Sequence, residues 1–372
     1  MSDFDAGVVH LLGIRVPYSL ILFGVSLALG LLATPAVRAL SRRVRAYDLP
    51  GPRRIHAQPV PTLGGLAIAA AMLGTAWAAY LLPGPVGRMD MRPLLGLTVA
   101  SIPILALGVF DDLRRVSPFA KLAVQAVAAL ILIRFGYGIP ALSTPFGGAI
   151  RLGALDVPLT VAWVLVVTNA INLIDGLDGL AAGAVFIASM SLWWVGRSHL
   201  DLYVMFIAAV MAGGTLGFLR YNFPPAKIFM GDTGSQFLGL ALAAISLIEN
   251  RKGTVTLTLL FPLVAMGVPI FDSALAFVRR LASRQPVFRA DSEHIHHRLL
   301  RLGLSPRGAL FTLWYLCLFL GVMAVVVEAL PRGYTWFVLA LLAMGIFMAF
   351  EVLEFVDRRA SGRGKDEAPP PR

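Results

Sequence analysis

Apolar stretches of membrane-spanning length recur along the whole chain, separated by short polar or basic loops. They fall at 17–39, 62–82, 93–110, 119–135, 157–173, 179–196, 201–219, 234–249, 255–278, 309–329 and 334–355. A spanning helix needs about 20 mostly apolar residues, so the pattern predicts about eleven transmembrane helices. No loop is long enough to fold as a soluble domain, and no long-period repeat is visible. The expectation is an all-α polytopic integral membrane protein with one membrane-embedded domain over 1–357. The tail that follows, RRASGRGKDEAPPPR, is polar and should be disordered. Residues 136–156 alternate short apolar runs with Gly and Pro, which suggests a small hairpin turning near Gly147-Gly148.

Composition agrees with this pattern. The chain of 372 residues is 58% hydrophobic and 14% charged, with a mean hydropathy of +0.77. A soluble domain carries about 25% charged residues, so this one lacks the polar surface to face water all round. With the N-terminus outside, the inner loops and tail hold 23 of the 32 Lys and Arg residues. The positive-inside rule therefore predicts the N-terminus out and the C-terminus in. The first residues, MSDFDAGVVH, lack a basic leader and a small-residue cleavage site, so the first span is expected to stay as an anchor. Cys317 is the sole cysteine and sits in an apolar run, which excludes disulfides and cysteine-based metal sites.

Where polar residues interrupt the apolar pattern, chemistry is the default reading, because ionisable groups in such surroundings are costly. The stretch NAINLIDGLDGLAAG places Asn169, Asn172, Asp175 and Asp178 three apart. Each step of three drifts about 60° around a helix, so one unbroken helix would point Asn169 and Asp178 in opposite directions. Gly176 and Gly179 predict instead that the helix ends here and the chain gathers these oxygens. In GVFDDLRRVSPFAKLAVQ, Asp111 and Asp112 are adjacent carboxylates that call for a cation, unless they are a solvated helix cap. Lys121 in the same string is placed to meet a phosphate as a point charge. Further on, RYNFPPAKIFMGDTGSQFLG puts Asp232 at the start of a span. A helix start there favours phosphate, while a carboxylate can hold a divalent cation against it; a plain Asp-Thr-Gly turn capping the helix is the competing explanation. Phe229 is positioned to stack on a flat base.

The flanking loops carry less. Arg38–Pro61 is basic and proline-rich, mostly a positive-inside anchor, with His56 preceding the PVPTLGG that opens the second span. Asp272 lies two helical turns before Arg279, as an internal ion pair or a reactive group. In DSEHIHHRLL, His294, His296 and His297 lack the HExxH spacing and any cysteine, and Arg298 and Arg301 crowd them. That mixture suits sugar hydroxyls and phosphate better than zinc. All these clusters fall on the predicted cytoplasmic side, so an active-site cleft is expected on that face. Carboxylates for a metal, cations for phosphates, an aromatic for a base and histidines for a sugar together suit phosphoryl transfer between a nucleotide and a molecule in the bilayer.

Five strings, HAQPVPTLGG, GVFDDLRRVSPFAKLAVQ, NAINLIDGLDGLAAG, YNFPPAKIFMGDTGSQFLG and DSEHIHHRLL, occur in that order between His56 and Leu300. In them the chain resembles the polyprenyl-phosphate N-acetylhexosamine-1-phosphate transferases, relatives of the phospho-N-acetylmuramoyl-pentapeptide transferase of peptidoglycan synthesis. The resemblance implies transfer of a sugar-1-phosphate from a UDP-sugar to undecaprenyl phosphate, with release of UMP and use of Mg2+, or Mn2+ in its place. It implies Asp111, Asp112, Lys121, Asp175 and Asp178 in the catalytic cleft, and Asn172 and Asp232 at the metal site. Substrate positions implied are His56, Asn169, Asn222, Phe229, His294, His296, His297 and Arg298, with Asn222 and Phe229 toward uridine. Ile295 separates His294 from His296, and this HIHH form is typical of the N-acetylglucosamine group, whereas muramoyl enzymes resemble one another in three consecutive histidines. The family also suggests a homodimer in a bacterial inner membrane, and no nucleic-acid partner is expected.

Other classes make different demands. A muramoyl-pentapeptide transferase would keep the mechanism and change the sugar. A transporter would place buried carboxylates near the midplane, often with a repeat relating two halves. A scaffold holding anionic lipid would explain the arginines but not Asp111, Asp112, Asp175, Asp178 and Asp232.

Overall fold

The computed structural model describes residues 8–11, 14–49, 58–82, 84–143, 148–249, 267, 270–272, 295–330 and 332–366. Its long helices are α1 (Tyr18–Arg43), α2 (Gly65–Leu81), α3 (Arg92–Leu113), α4 (Pro118–Arg134), α5 (Asp156–Ile174), α6 (Leu180–Ser198), α7 (Leu202–Asn222) and α8 (Gly231–Glu249). A short α9 (Ile295–Arg301) then precedes α10 (Pro306–Ala329) and α11 (Arg332–Asp366). Ten of the eleven expected spans therefore coincide with helices. The remaining one, 255–278, lies almost wholly outside the described residues.

Seven described helices are long and apolar enough to cross a membrane, namely α1, α3, α5, α6, α7, α8 and α10. Two shorter apolar helices are Gly65–Leu81 and Tyr334–Ala349. The chain is a multi-pass, all-α membrane protein. Among the described residues, sheet is confined to three antiparallel hairpins: β1 (Val8–Leu11) with β2 (Ile14–Pro17), β3 (Tyr47–Asp48) with β4 (Val60–Pro61), and β5 (Ala141–Ser143) with β6 (Ala149–Arg151). The last is the hairpin expected around Gly147-Gly148. The expected disordered tail begins at Arg358, yet α11 continues to Asp366. Extending an existing helix costs far less than starting one, so the apolar run carries the polar residues with it.

The helices are arranged around α8. It packs against α2, α3 and α5, with further contacts to α6 and α7. In α8, 89% of the apolar window is buried, against 22% in α1, whose outer face presents residues such as Leu20 and Leu32. Apolar surface exposed in that way matches lipid rather than water. Small residues let the inner helices approach closely, as membrane interfaces favour. A Cβ at Gly108 of α3 would overlap the backbone of Thr233, and one at Gly65 of α2 would overlap that of Gly234. Both contacts lie in the first turn of α8, so three helix ends converge where the polar residues begin.

Candidate active site

The carboxylate–lysine cluster forms where α3 stops and α4 starts. Asp111 Oδ1 accepts the backbone N–H of Val116 at 2.6 Å, which folds the chain back after α3. Ser117 then caps α4 by accepting from the N–H of Ala120. This turn brings Lys121 back over the end of α3, where its Nζ donates to Asp111 Oδ2 at 2.8 Å. The same ammonium pairs with Asp232 on α8. Lys121 thus bridges two carboxylates from two other helices. Its side chain is 22% exposed, and those of Asp111 and Asp232 are 13% and 25% exposed, so the cluster is open to a ligand.

Asp112, adjacent in sequence, does a different job. Its carboxylate accepts the N–H of Asp232 at 2.9 Å, the N–H of Thr233 at 3.2 Å and the hydroxyl of Thr233 at 2.6 Å. These are unpaired donors of the first turn of α8, so Asp112 caps that helix from α3. Gly231 precedes the turn at φ 70°, and a Cβ there would collide with the Asp112 oxygens. The GDTGS string is therefore a capping turn, but the capping side chain comes from another helix. Asp232 is left to face Lys121.

The central motif breaks as expected: α5 ends at Ile174, α6 starts at Leu180, and Gly179 takes a left-handed φ of 76°. Three of its four polar residues gather: Asp175 lies near Asp178 and Asp232, and Asn172 reaches Asp232, while Asn169 turns away. Asn172 donates to Ser235 Oγ on α8 at 2.9 Å. Asp175 lies past the end of α5, where burial pushes its carboxyl well above the usual range and the charges of Asp232, Asp112 and Asp178 push it the same way. Asp178 accepts the N–H of Ala226 at 2.9 Å and so pins the loop after α7. Asn169 points elsewhere: its amide donates to Leu165 O at 2.8 Å and to Gln125 Oε1 at 2.7 Å.

The loop 223–230 forms the neighbouring wall. Asn222, 2% exposed, accepts the N–H of Gly179 and donates to Ile228 O, both at 3.0 Å. Its amide thus joins the α5–α6 turn to this loop. Phe229 is half-buried and its backbone pairs with Pro61 and Gly64 of the segment before α2. Arg307 of α10 donates to Pro224 O at 3.1 and 3.3 Å. His56, His294 and the side chain of His296 lie outside the described residues. His297 is half-buried and Arg298 is 3% exposed on α9, which packs mainly on α10 and α11. The N–H of Ile295 in α9 donates to Asp272 at 3.0 Å, a local role for the aspartate singled out in the ninth span.

Among the described residues, no three His, Cys, Asp or Glu groups converge as a complete metal cage. Magnesium rarely uses one: it takes one or two carboxylates and completes its shell with water and substrate phosphates. The hard oxygens of Asp232, Asp111 and Asp175 are compatible with that habit. Several neighbours of the cluster were not singled out from sequence: Thr233, Gln236, Gln125 and Arg307. A usable signal existed for two of them. Gln125 follows Lys121 by four and Gln236 follows Asp232 by four, so each extends a polar face into an apolar helix.

Fold and site define a multi-pass membrane protein with a carboxylate–lysine cluster where several helices end. The chain belongs to glycosyl transferase family 4, whose model matches residues 94–250. It is 35% identical over 338 residues to the probable undecaprenyl-phosphate N-acetylglucosaminyl 1-phosphate transferase of Bacillus subtilis (strain 168), covering 91% of this chain and 92% of that protein. Identity is 36% to the decaprenyl-phosphate N-acetylglucosaminephosphotransferase of Mycobacterium tuberculosis (strain ATCC 25618 / H37Rv), over 78% of this chain and 77% of that protein. It is 32% to the phospho-N-acetylmuramoyl-pentapeptide-transferase of Desulforudis audaxviator (strain MP104C), over 82% and 95%.

Proposed function

We propose that the protein transfers N-acetylglucosamine-1-phosphate from UDP-N-acetylglucosamine to undecaprenyl phosphate in a bacterial inner membrane, priming cell-envelope polysaccharide synthesis. The carrying observation is Lys121, held between Asp111 and Asp232 at the common mouth of α3, α4 and α8. Two anionic phosphates must meet in this reaction, and a fixed cation among hydrogen-bonding carboxylates suits that task. In the proposed step, an oxygen of the lipid phosphate attacks the β-phosphorus of the donor. The bond from that phosphorus to the bridging oxygen breaks, and UMP leaves with the electron pair. Asp111 would take a proton from the lipid phosphate, and Lys121 would draw the two phosphates together. Asp232, with Asn172 and Asp175 nearby, would hold Mg2+. When bound, that ion would supply neutralisation of phosphate charge.

The Bacillus and Mycobacterium relatives named for N-acetylglucosamine are 35% and 36% identical to this chain, against 32% for the Desulforudis muramoyl enzyme, and HIHH supports the same sugar. The basic loops support an orientation with this mouth toward the cytoplasm. His294, His296, His297 and Arg298 would then meet the sugar and its phosphates, and Phe229 the uracil. The test uses a donor carrying radiophosphorus in its β-phosphate. Label recovered in the lipid extract supports sugar-phosphate transfer; label retained in a nucleotide while the sugar moves would overturn it.

A further inference from the structure

Beside the cluster lies a chain of carboxamides, two of them buried, that the reaction does not itself use. Asn169 of α5 places both protons of Nδ2, one on Leu165 O at 2.8 Å and one on Gln125 Oε1 at 2.7 Å. Gln125 of α4 in turn donates from Nε2 to Gln236 Oε1 at 3.3 Å. Gln236 of α8 then donates from Nε2 to Asp232 Oδ2 at 3.3 Å. Gln125 is 1% exposed and Gln236 is fully buried.

The chain has a fixed direction. A backbone carbonyl only accepts, so Leu165 sets which way the Asn169 amide faces, and each later amide must follow. A carboxylate also only accepts, so the series ends correctly, with a donor against Asp232. Reversing one amide would set oxygen against oxygen, which is costly in a buried site. The Asp232 oxygen so reached is also the one paired with Lys121. Two donors from two helices therefore fix the rotation of this carboxylate.

We propose that Gln125 and Gln236 are positioning residues, which orient the Asp232 carboxylate for a divalent cation through an amide relay anchored at Asn169. The inference rests on the reading of Asp232 as a metal ligand. It also gives Asn169 a supporting role in place of substrate contact. Such outer partners typically change metal affinity by about 10–100-fold when lost. Gln125 is the informative link, since it touches the carboxylate only through Gln236.

The test is Mn2+ binding to the full-length purified protein, followed by paramagnetic resonance of the free ion, in wild type, Gln125→Met, Gln236→Met, the double variant and Asp232→Asn. The expected result is loss of the site in Asp232→Asn and about tenfold weaker binding in each single glutamine variant. The double variant should be no weaker than either single one, because a relay is broken once. Loss in Asp232→Asn with unchanged binding in the glutamine variants overturns the relay alone. Glutamine effects that multiply in the double variant also overturn it, since they mark independent packing contributions. Wild-type binding by Asp232→Asn overturns the metal reading, and the relay with it. Should Gln236→Met fail to fold, Gln125→Met against wild type carries the same decision.

Discussion

Asp112 and Thr233, far apart in sequence, meet through two hydrogen bonds: the Thr233 hydroxyl donates to the Asp112 carboxylate at 2.6 Å and its N–H at 3.2 Å. An aspartate read from sequence as one of a reactive pair thus holds the first turn of α8, the turn that presents Asp232. Asp112→Ala should cost about 1–2 kcal/mol of stability, the usual scale for a lost cap. It should also disable catalysis by releasing Asp232. Thr233→Val, which keeps the N–H, should cost about 1 kcal/mol and spare much of the activity. Thermal unfolding in detergent beside UMP release checks both. A fully stable Asp112→Ala protein would contradict the capping role.

Asp232→Asn should abolish turnover while leaving expression and folding intact. The amide keeps one acceptor for Lys121 or Gln236 but loses the charge. Size-exclusion behaviour and UMP release together decide this, and near-normal activity would remove Asp232 from the reaction.

Lys121→Met should lower kcat by about 100-fold or more, the scale for losing one well-placed charged donor. It would leave Asp111 and Asp232 facing each other without their shared cation. Lys121→Arg should rescue little, because a planar fork cannot stand between two carboxylates as an ammonium does. Steady-state kinetics on the three proteins checks this, and full activity in Lys121→Arg would show that any cation suffices.

Deleting residues 358–372, a polar run in the sequence, should leave UMP release within about twofold of wild type. A large loss would extend the transferase domain into the helical tail.

The helices were legible because apolar length is a strong signal, and ten of the spans were placed to within a few residues, apart from longer ends such as that of α11. The positions of Asp111, Lys121 and Asp232 were legible for a related reason: charge stands out in an apolar background. Their division of labour was not. Asp111 and Asp112 look equivalent in sequence, and only the placement of α8 shows one facing Lys121 and the other capping a helix. The spacing of Asn169, Asn172, Asp175 and Asp178 suggested one gathered cluster; Asn172, Asp175 and Asp178 do gather beside Asp232, whereas Asn169 turns to Gln125 on α4. Asn222 likewise carries a recognisable motif, yet it ties the α5–α6 turn to Ile228. Long-range partners of this kind depend on helix packing, which hydrophobic pattern does not encode.

The most direct test of the account is UMP release by the purified protein with undecaprenyl phosphate and Mg2+, given either UDP-N-acetylglucosamine or UDP-N-acetylmuramoyl-pentapeptide. The account predicts UMP from the N-acetylglucosamine donor alone, lost on adding EDTA and restored by Mg2+. UMP from the muramoyl donor alone would contradict the sugar assignment, and UMP from neither would contradict the proposed reaction.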